Sequence, residues 1–137
     1  YYKQHPMTQG SAAAVQLLNQ DVQSKAVVPI EQQVNVQLTQ QQFDALVIWT
    51  FNTGGGNYTH PKIPVNKRGG LAASDLLKNT NACNMNTVPS DFTHYDHVNG
   101  QVSCGLYRRD MVSSEIWISG SYTVPRDAFT CPPGSVK

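Results

Sequence analysis

The segment LTQQQFDALVIWTFNTGGG, Leu38 to Gly56, constrains the fold more than any other part of this sequence. Thr39 is a good N-cap residue, and Gln42 stands where a capping box requires Glu or Gln. Gly54 offers the positive φ that ends many helices in a left-handed cap. The apolar spacing is that of one helical face: Phe43, Leu46, Val47, Thr50 and Phe51. The segment therefore predicts an amphipathic helix with both ends marked.

Asn52 ends the apolar stripe of this helix, directly before the glycine loop. Asparagine is a mediocre helix former, so a helix that only fills a core has little use for it there. One interpretation is a polar group aimed at a ligand at the rim of the loop. The alternative is a core helix followed by a flexible loop.

The remaining segments predict further helices and no convincing strand pair. The loop from Gly54 to Gly70 is longer than most connections in compact domains, and such loops are usually functional or disordered. The sequence thus indicates a mainly α fold. Its other predicted elements are a first helix from Thr8 to Val28 before Pro29, a short helix in LAASDLLKN, a turn starting at Ser90, a last helix ending at Gly120, and a loop or extended tail.

Composition limits the functions that the chain can have. Its 137 residues suit one domain, and a formal net charge of +1 provides no electrostatic footprint for nucleic acid or an acidic membrane. No apolar run approaches the roughly 20 residues of a membrane span. Charged residues make up 14%, below the roughly 25% of an average soluble domain, which fits work outside the cytosol. Because the chain has neither a signal peptide nor a starting methionine, we expect it to be part of a longer polypeptide.

The three cysteines predict a disulfide. Cys83 and Cys104 flank a polar segment that a covalent link would stabilise, so these two are the expected pair. Cys131 could instead be one partner, or all three could be unpaired thiols. No C-x-x-C pair is present, which argues against zinc. A bridge would indicate an oxidising compartment such as a periplasm.

Few residues are candidates for acid–base chemistry. A glycosidase needs a proton donor, usually a buried carboxylic acid, and a second group that handles the developing charge or the water. The only glutamates, Glu31 and Glu115, are expected to be solvated. His94 and His97 lie near two aspartates but lack a third ligand at a firm spacing, so neither a metal nor another cofactor is expected.

The pair Arg108 and Arg109 is the most informative remaining polar feature. It stands at the start of the last helix, where the macrodipole disfavours cations, so the pair calls for an acidic partner. The alternative is a basic turn that faces solvent, and this applies to Arg108 more than to Arg109.

Three stretches together resemble the phage-type lysozymes, the endolysin family of glycoside hydrolase family 24. They are LLNQDV, LTQQQFDALVIWTFNTGGG and CGLYRRDMVSSEIWISG, in that order. The resemblance covers roughly Thr8 to Gly120. It implies a lysozyme-like helical lobe over residues 1–120 and a C-terminal tail over residues 121–137. The complete fold of the family is α+β, with an N-terminal catalytic lobe.

The resemblance also implies a function and three site residues. Phe51 and Asn52 match a turn that faces the glycan cleft, and Arg109 matches an arginine that holds the catalytic glutamate. The implied activity is cleavage of peptidoglycan between N-acetylmuramic acid and N-acetylglucosamine, in a phage endolysin or an antibacterial effector. Such a protein is secreted or delivered to the periplasm or cell wall. Its expected partners are bacterial peptidoglycan and an upstream domain of the same polypeptide, with no nucleic acid and no membrane.

The sequence departs from the family where the chemistry takes place. The family's catalytic glutamate, aspartate and threonine belong to a lobe that precedes the first helix, and neither Glu31 nor Glu115 falls at such a position. The catalytic residue is therefore unassigned, and the chain alone is expected to be inactive. The alternative function is a non-catalytic lysozyme-like module that binds peptidoglycan or a protein partner.

Overall fold

The computed structural model describes residues 12–94, 97–98 and 100–137, and these form a mainly helical fold, as predicted. The α-helices are α1 Ala12–Val22, α2 Val28–Gln33, α3 Gln40–Thr53, α4 Asp75–Asn81, α5 Val88–Asp91 and α6 Cys104–Ser119. A π-helical segment, Gln23–Val27, joins α1 to α2, and short 3-10 turns occupy Val65–Lys67, Leu71–Ala73 and Arg126–Ala128. The strands β1 His97–Val98 and β2 Gln101–Val102 form an antiparallel hairpin.

The first helix continues beyond the point where the sequence predicts its end. Its expected start at Thr8 lies outside the described residues, but the expected stop before Pro29 is wrong, because helix continues to Gln33. Proline in an α-helix lacks an N–H and its ring clashes with the carbonyl four residues earlier. Here the preceding turn is π-helical, with the Val28 N–H bonded to the carbonyl of Gln23. This wider turn accommodates the proline within a continuous helix.

Helix α3 has the capping predicted for it. The Thr39 hydroxyl accepts from the Gln42 N–H at 3.2 Å, and the Gln42 side chain accepts from the Thr39 N–H at 2.9 Å. Gly54 has the predicted positive φ, 105°, but its ψ of 152° is extended rather than left-handed helical. The chain therefore leaves α3 in a conformation that favours glycine.

The short helical elements also follow the sequence closely. The predicted helix in LAASDLLKN is divided at Ser74, whose hydroxyl accepts from the Leu77 N–H and caps α4. The turn expected at Ser90 is part of α5. The hairpin of β1 and β2 was not predicted, because two-residue strands are too short to show an alternating pattern.

The core lies between α3, α6 and the short helices. Gln41 at the start of α3 donates to the carbonyl of Trp117 near the end of α6, at 3.0 Å. The start of α3 therefore lies beside the end of α6. The buried core residues are Ile30, Ala45, Leu46, Trp49, Leu71, Leu76, Val88, Phe92, Ile116 and Trp117. No helix among the described residues is long and apolar enough to cross a membrane.

Residues 121–137 are covalently attached to the start of α6. Cys104 forms a disulfide with Cys131, with a Cα–Cα distance of 5.5 Å, and the Cys104 N–H donates to the carbonyl of Val136 at 2.7 Å. The predicted bridge between Cys83 and Cys104 is therefore wrong, and Cys83 is a free, exposed thiol. The expected pair rests on the polar segment between Cys83 and Cys104, whereas backbone pairing brings the C-terminal segment, with Cys131, to Cys104.

Candidate functional site

The end of α3 presents one aromatic ring and one amide. Phe51 is half-buried, and the Lys25 ammonium lies 6.0 Å from its ring centroid, at the limit of a cation–π contact. Asn52 is exposed, and its Nδ2 donates to the carbonyl of Ile48 one turn earlier at 3.0 Å. This bond leaves the Asn52 Oδ1 without a partner among the described residues, so the side chain is oriented by its own helix and offers an acceptor.

The glycines after α3 have a structural role. The carbonyls of Gly54 and Gly55 accept from the N–H groups of Leu71 and Ala72 at 2.9 and 3.1 Å, which closes the long loop at its base. A Cβ on Gly55 would lie 2.6 Å from the Cβ of Pro29, so any larger residue would clash with α2. The loop after α3 is thus fixed at both ends by backbone bonds.

Arg109 has a carboxylate partner, and that partner is the next residue. The Arg109 Nε donates to the Asp110 Oδ1 at 3.2 Å, and the side chains are 21% and 3% exposed. The acidic partner expected from the sequence is thus not only a distant group, because the adjacent Asp110, visible in the sequence itself, already pairs with Arg109. Within the described residues the other guanidinium nitrogens make no hydrogen bond, so they can serve a second acceptor.

Arg108 was expected to face solvent, but it does not. It is half-buried, and its Nε donates to the carbonyl of Phe129 at 2.9 Å, beside the disulfide of Cys104. Nothing in the local sequence indicates this contact, since the two residues are 21 positions apart. Arg108 therefore joins the C-terminal segment to α6, while Arg109 retains donors for another group.

The two glutamates and the buried aspartates of the described residues lie in different surroundings. Glu31 is exposed, and Glu115 is half-buried with its Oε1 accepting from the Ser119 hydroxyl at 2.9 Å. The buried carboxylates have partners: Asp91 accepts from the Asn79 amide at 2.7 Å, and Asp110 is paired with the arginine before it. Neither glutamate is at the end of α3 or the start of α6.

His94 belongs to a small polar cluster. Its Nδ1 lies 3.4 Å from a carboxylate oxygen of Asp75 and 3.5 Å from one of Asp91. The side chain of His97, the other histidine considered, lies outside the described residues. In the part of the chain that the structure describes, no three His, Cys, Asp or Glu side chains are grouped to hold a metal ion.

Tyr122 joins the start of α3 to the segment after α6. Its hydroxyl donates to the Asp44 carboxylate at 2.6 Å. This hydrogen bond, with smaller effects of desolvation and of the negative charge, raises the pKa of Tyr122 above its ordinary value. The contact is at the opposite end of α3 from Phe51, so it supports the helix pair rather than the candidate site.

Among the described residues, the end of α3 offers the unpaired Asn52 Oδ1, and Arg109 on α6 has guanidinium donors that Asp110 does not use. The chain belongs to the phage lysozyme family, whose model matches residues 2–111. It is also 31% identical to an endolysin of Bacillus phage B103 over 107 residues, which are 78% of this chain and 35% of the endolysin. The chain therefore spans about a third of the length of that relative.

Proposed function

We propose that this chain is the helical lobe of a peptidoglycan hydrolase that cleaves between N-acetylmuramic acid and N-acetylglucosamine. Membership of the phage lysozyme family and the similarity to an endolysin support this activity. The proton-donating glutamate lies outside these 137 residues, and the lobe alone is inactive. The observation that carries the proposal is Arg109, which is oriented by a buried carboxylate and still has unused donors.

Arg109 positions the glutamate rather than raising its pKa. An adjacent guanidinium favours the ionised form of a carboxyl group, which would weaken a general acid. The same guanidinium can orient that group and stabilise the carboxylate that remains after proton transfer. Asp110 fixes the Nε side of the guanidinium, so the remaining N–H groups are directed without a further loss of side-chain entropy.

Phe51 and Asn52 form the sugar-contacting part of the lobe. A half-buried aromatic ring offers an apolar face, and the Asn52 Oδ1 can accept from a hydroxyl or an N-acetyl N–H. The disulfide between Cys104 and Cys131 supports work in an oxidising compartment, as for a phage endolysin or an effector delivered to the cell wall.

The test is lysis of purified peptidoglycan by the full-length enzyme. Arg109→Ala should lose at least about tenfold in rate, which is about 1.4 kcal/mol of barrier. Because this change also leaves Asp110 unpaired, Arg109→Lys is the matched variant. The lysine retains a positive charge beside Asp110 but lacks the planar guanidinium that can serve two acceptors at once. The rate of peptidoglycan lysis should therefore fall, while the melting temperature should change little. Arg108→Ala should affect activity less, with a loss of stability.

Three outcomes would contradict the proposal. Equal rate losses in Arg108→Ala and Arg109→Ala would mean that the helix register is misassigned. Lysis by the 137-residue chain alone, abolished by Glu31→Gln or Glu115→Gln, would place the acid within it. A full-length enzyme that binds but never cleaves peptidoglycan would favour the non-catalytic module, an alternative prompted by the lack of a site glutamate in the described residues.

A further inference from the structure

A second concave surface lies outside the residues assigned above. It is a pocket of about 750 Å³ between the end of α2, the long loop and α4, and we call it the loop pocket. Its volume is within the range of about 300–1,000 Å³ that small-molecule sites occupy. None of its lining residues is Phe51, Asn52 or Arg109.

Hydrogen bonds between three segments hold the walls of the loop pocket. The Asn81 side chain accepts from the Asn35 N–H at 2.8 Å and donates to the carbonyl of Gln33 at 2.9 Å. The Gln33 side chain donates in turn to the carbonyls of Pro29 and Gly55, at 3.2 and 3.1 Å. The pocket is therefore preorganised, which lowers the entropic cost of binding a ligand.

The long loop is equally constrained. The Arg68 Nε donates to the carbonyl of Ile63 at 2.8 Å, and the carbonyl of Arg68 accepts from the Asn57 N–H at 2.8 Å. Tyr58 follows directly and lines the pocket as a half-buried ring. The loop is thus a folded wall that carries an aromatic surface.

The unused polar groups of the pocket are mostly carboxamides. The side chains of Gln32, Asn35 and Asn66 line it and make no hydrogen bond within the described residues. A carboxamide both donates and accepts, as hydroxyl and N-acetyl groups do, whereas a charged ligand would require an excess of one sign. Arg68 and Lys78 against Asp75 leave one net positive charge in the lining, and Arg68 already donates to the carbonyls of Ile63 and Pro61. The neutral carboxamides outnumber this single net charge, which favours a neutral, hydroxyl-rich ligand over an anion.

We propose that the loop pocket binds one or two N-acetylated sugar units of a glycan strand, as a site separate from the residues that face the reacting bond. The Tyr58 ring supplies the apolar face for a sugar, and the free carboxamides supply the polar contacts. The inference rests on the proposed function for its ligand, since the glycan is that of the hydrolase substrate. A second site of this kind holds the enzyme on the polymer between cleavage events.

The experiment is an NMR and calorimetric titration of the protein with a soluble β-1,4-linked tetramer of N-acetylglucosamine. We expect shifts at the side-chain amides of Asn35, Asn66 and Gln32. Tyr58→Ala should weaken association about tenfold and Asn66→Ala about threefold. Asn66→Ala changes an exposed side chain without hydrogen bonds in the described residues, so it tests the site even if Tyr58→Ala disturbs the loop. Tyr122→Ala is the control for removal of an exposed tyrosine elsewhere.

The outcomes separate this inference from the hydrolase assignment. Absence of shifts at the pocket amides overturns it. So does binding that Arg109→Ala abolishes and the pocket variants leave unchanged, because the sugar then occupies only the first site. Peptidoglycan lysis without loop-pocket binding also overturns it but leaves the hydrolase intact. Pocket binding by a protein that never lyses peptidoglycan supports the inference and rejects the hydrolase.

Discussion

Replacing Cys131 by serine should remove much of the stability of this lobe. The disulfide with Cys104 joins residues 27 positions apart in sequence. In the chain-entropy description, a loop of this length lowers the entropy of the unfolded chain by about 12 cal/mol/K, which is about 3.6 kcal/mol at room temperature. Total stabilities of single domains are only about 5–15 kcal/mol. Cys131→Ser should therefore shift unfolding strongly.

Among the described residues, few contacts other than the disulfide hold the C-terminal segment against α6. Without the link, the C-terminal segment is held by the Arg108 bond to Phe129 and by the pairing of Val136 with Val102 and Cys104. Intramolecular hydrogen bonds typically contribute only about 0.5–1.5 kcal/mol each. These bonds do not replace the lost link, so the loss should appear in the unfolding of the core of α3 and α6.

The assay is guanidinium unfolding followed by tryptophan fluorescence, because Trp49 and Trp117 are both buried in the core. The midpoint should fall in Cys131→Ser and, by the same amount, in the unmodified protein under reductant. Cys83→Ser is the matched control, since it removes an exposed free thiol and should change stability by less than about 0.5 kcal/mol.

Three results would refute this reasoning. A large loss in Cys83→Ser with none in Cys131→Ser would mean that the bridge runs to Cys83. Peptide mapping without reduction that links Cys83 to Cys104 would show the same directly. A stability insensitive to reductant in all variants would mean that the link does not constrain the unfolded chain.

Two further predictions concern the packing of the glycine loop and the contact at the start of α3. Gly55→Ala should cost about 1–3 kcal/mol in thermal or chemical unfolding, because its Cβ would lie 2.6 Å from the rigid ring of Pro29. Gly105→Ala is the control, since nothing lies within 4 Å of its Cβ and it should be neutral or mildly stabilising, whereas equal losses in the two variants would contradict the steric argument. The pKa of Tyr122 in the folded state should lie above its ordinary value of 10.0, because the protonated hydroxyl donates to Asp44. The folded state then binds this proton more tightly than the unfolded state does. The stability that this contributes is fully present below pH 10.0 and is lost as the pH rises through the raised pKa. Ultraviolet titration against Tyr122→Phe should show this, and Asp44→Asn should bring the pKa back down; an unchanged titration in Asp44→Asn would exclude the hydrogen bond as its cause.

The sequence by itself determined the helices whose ends carry local chemistry. The capping box of Thr39 and Gln42 and the positive φ of Gly54 involve residues within one turn of each other, so their spacing is sufficient to predict them. The family was also readable, because its motifs lie on α1, α3 and α6. The site residues that the sequence indicated, Phe51, Asn52 and Arg109, stay a prediction about binding.

Only the tertiary structure decided the contacts between distant segments. Pro29 alone indicates a helix end, but a π-helical turn lets the helix pass through it. Cys104 has two candidate partners in sequence, and backbone pairing with the C-terminal segment selects Cys131. The Arg108 bond to Phe129 and the walls of the loop pocket have the same origin. Such contacts depend on how the chain returns to itself after many residues, and local propensity carries no information about that return.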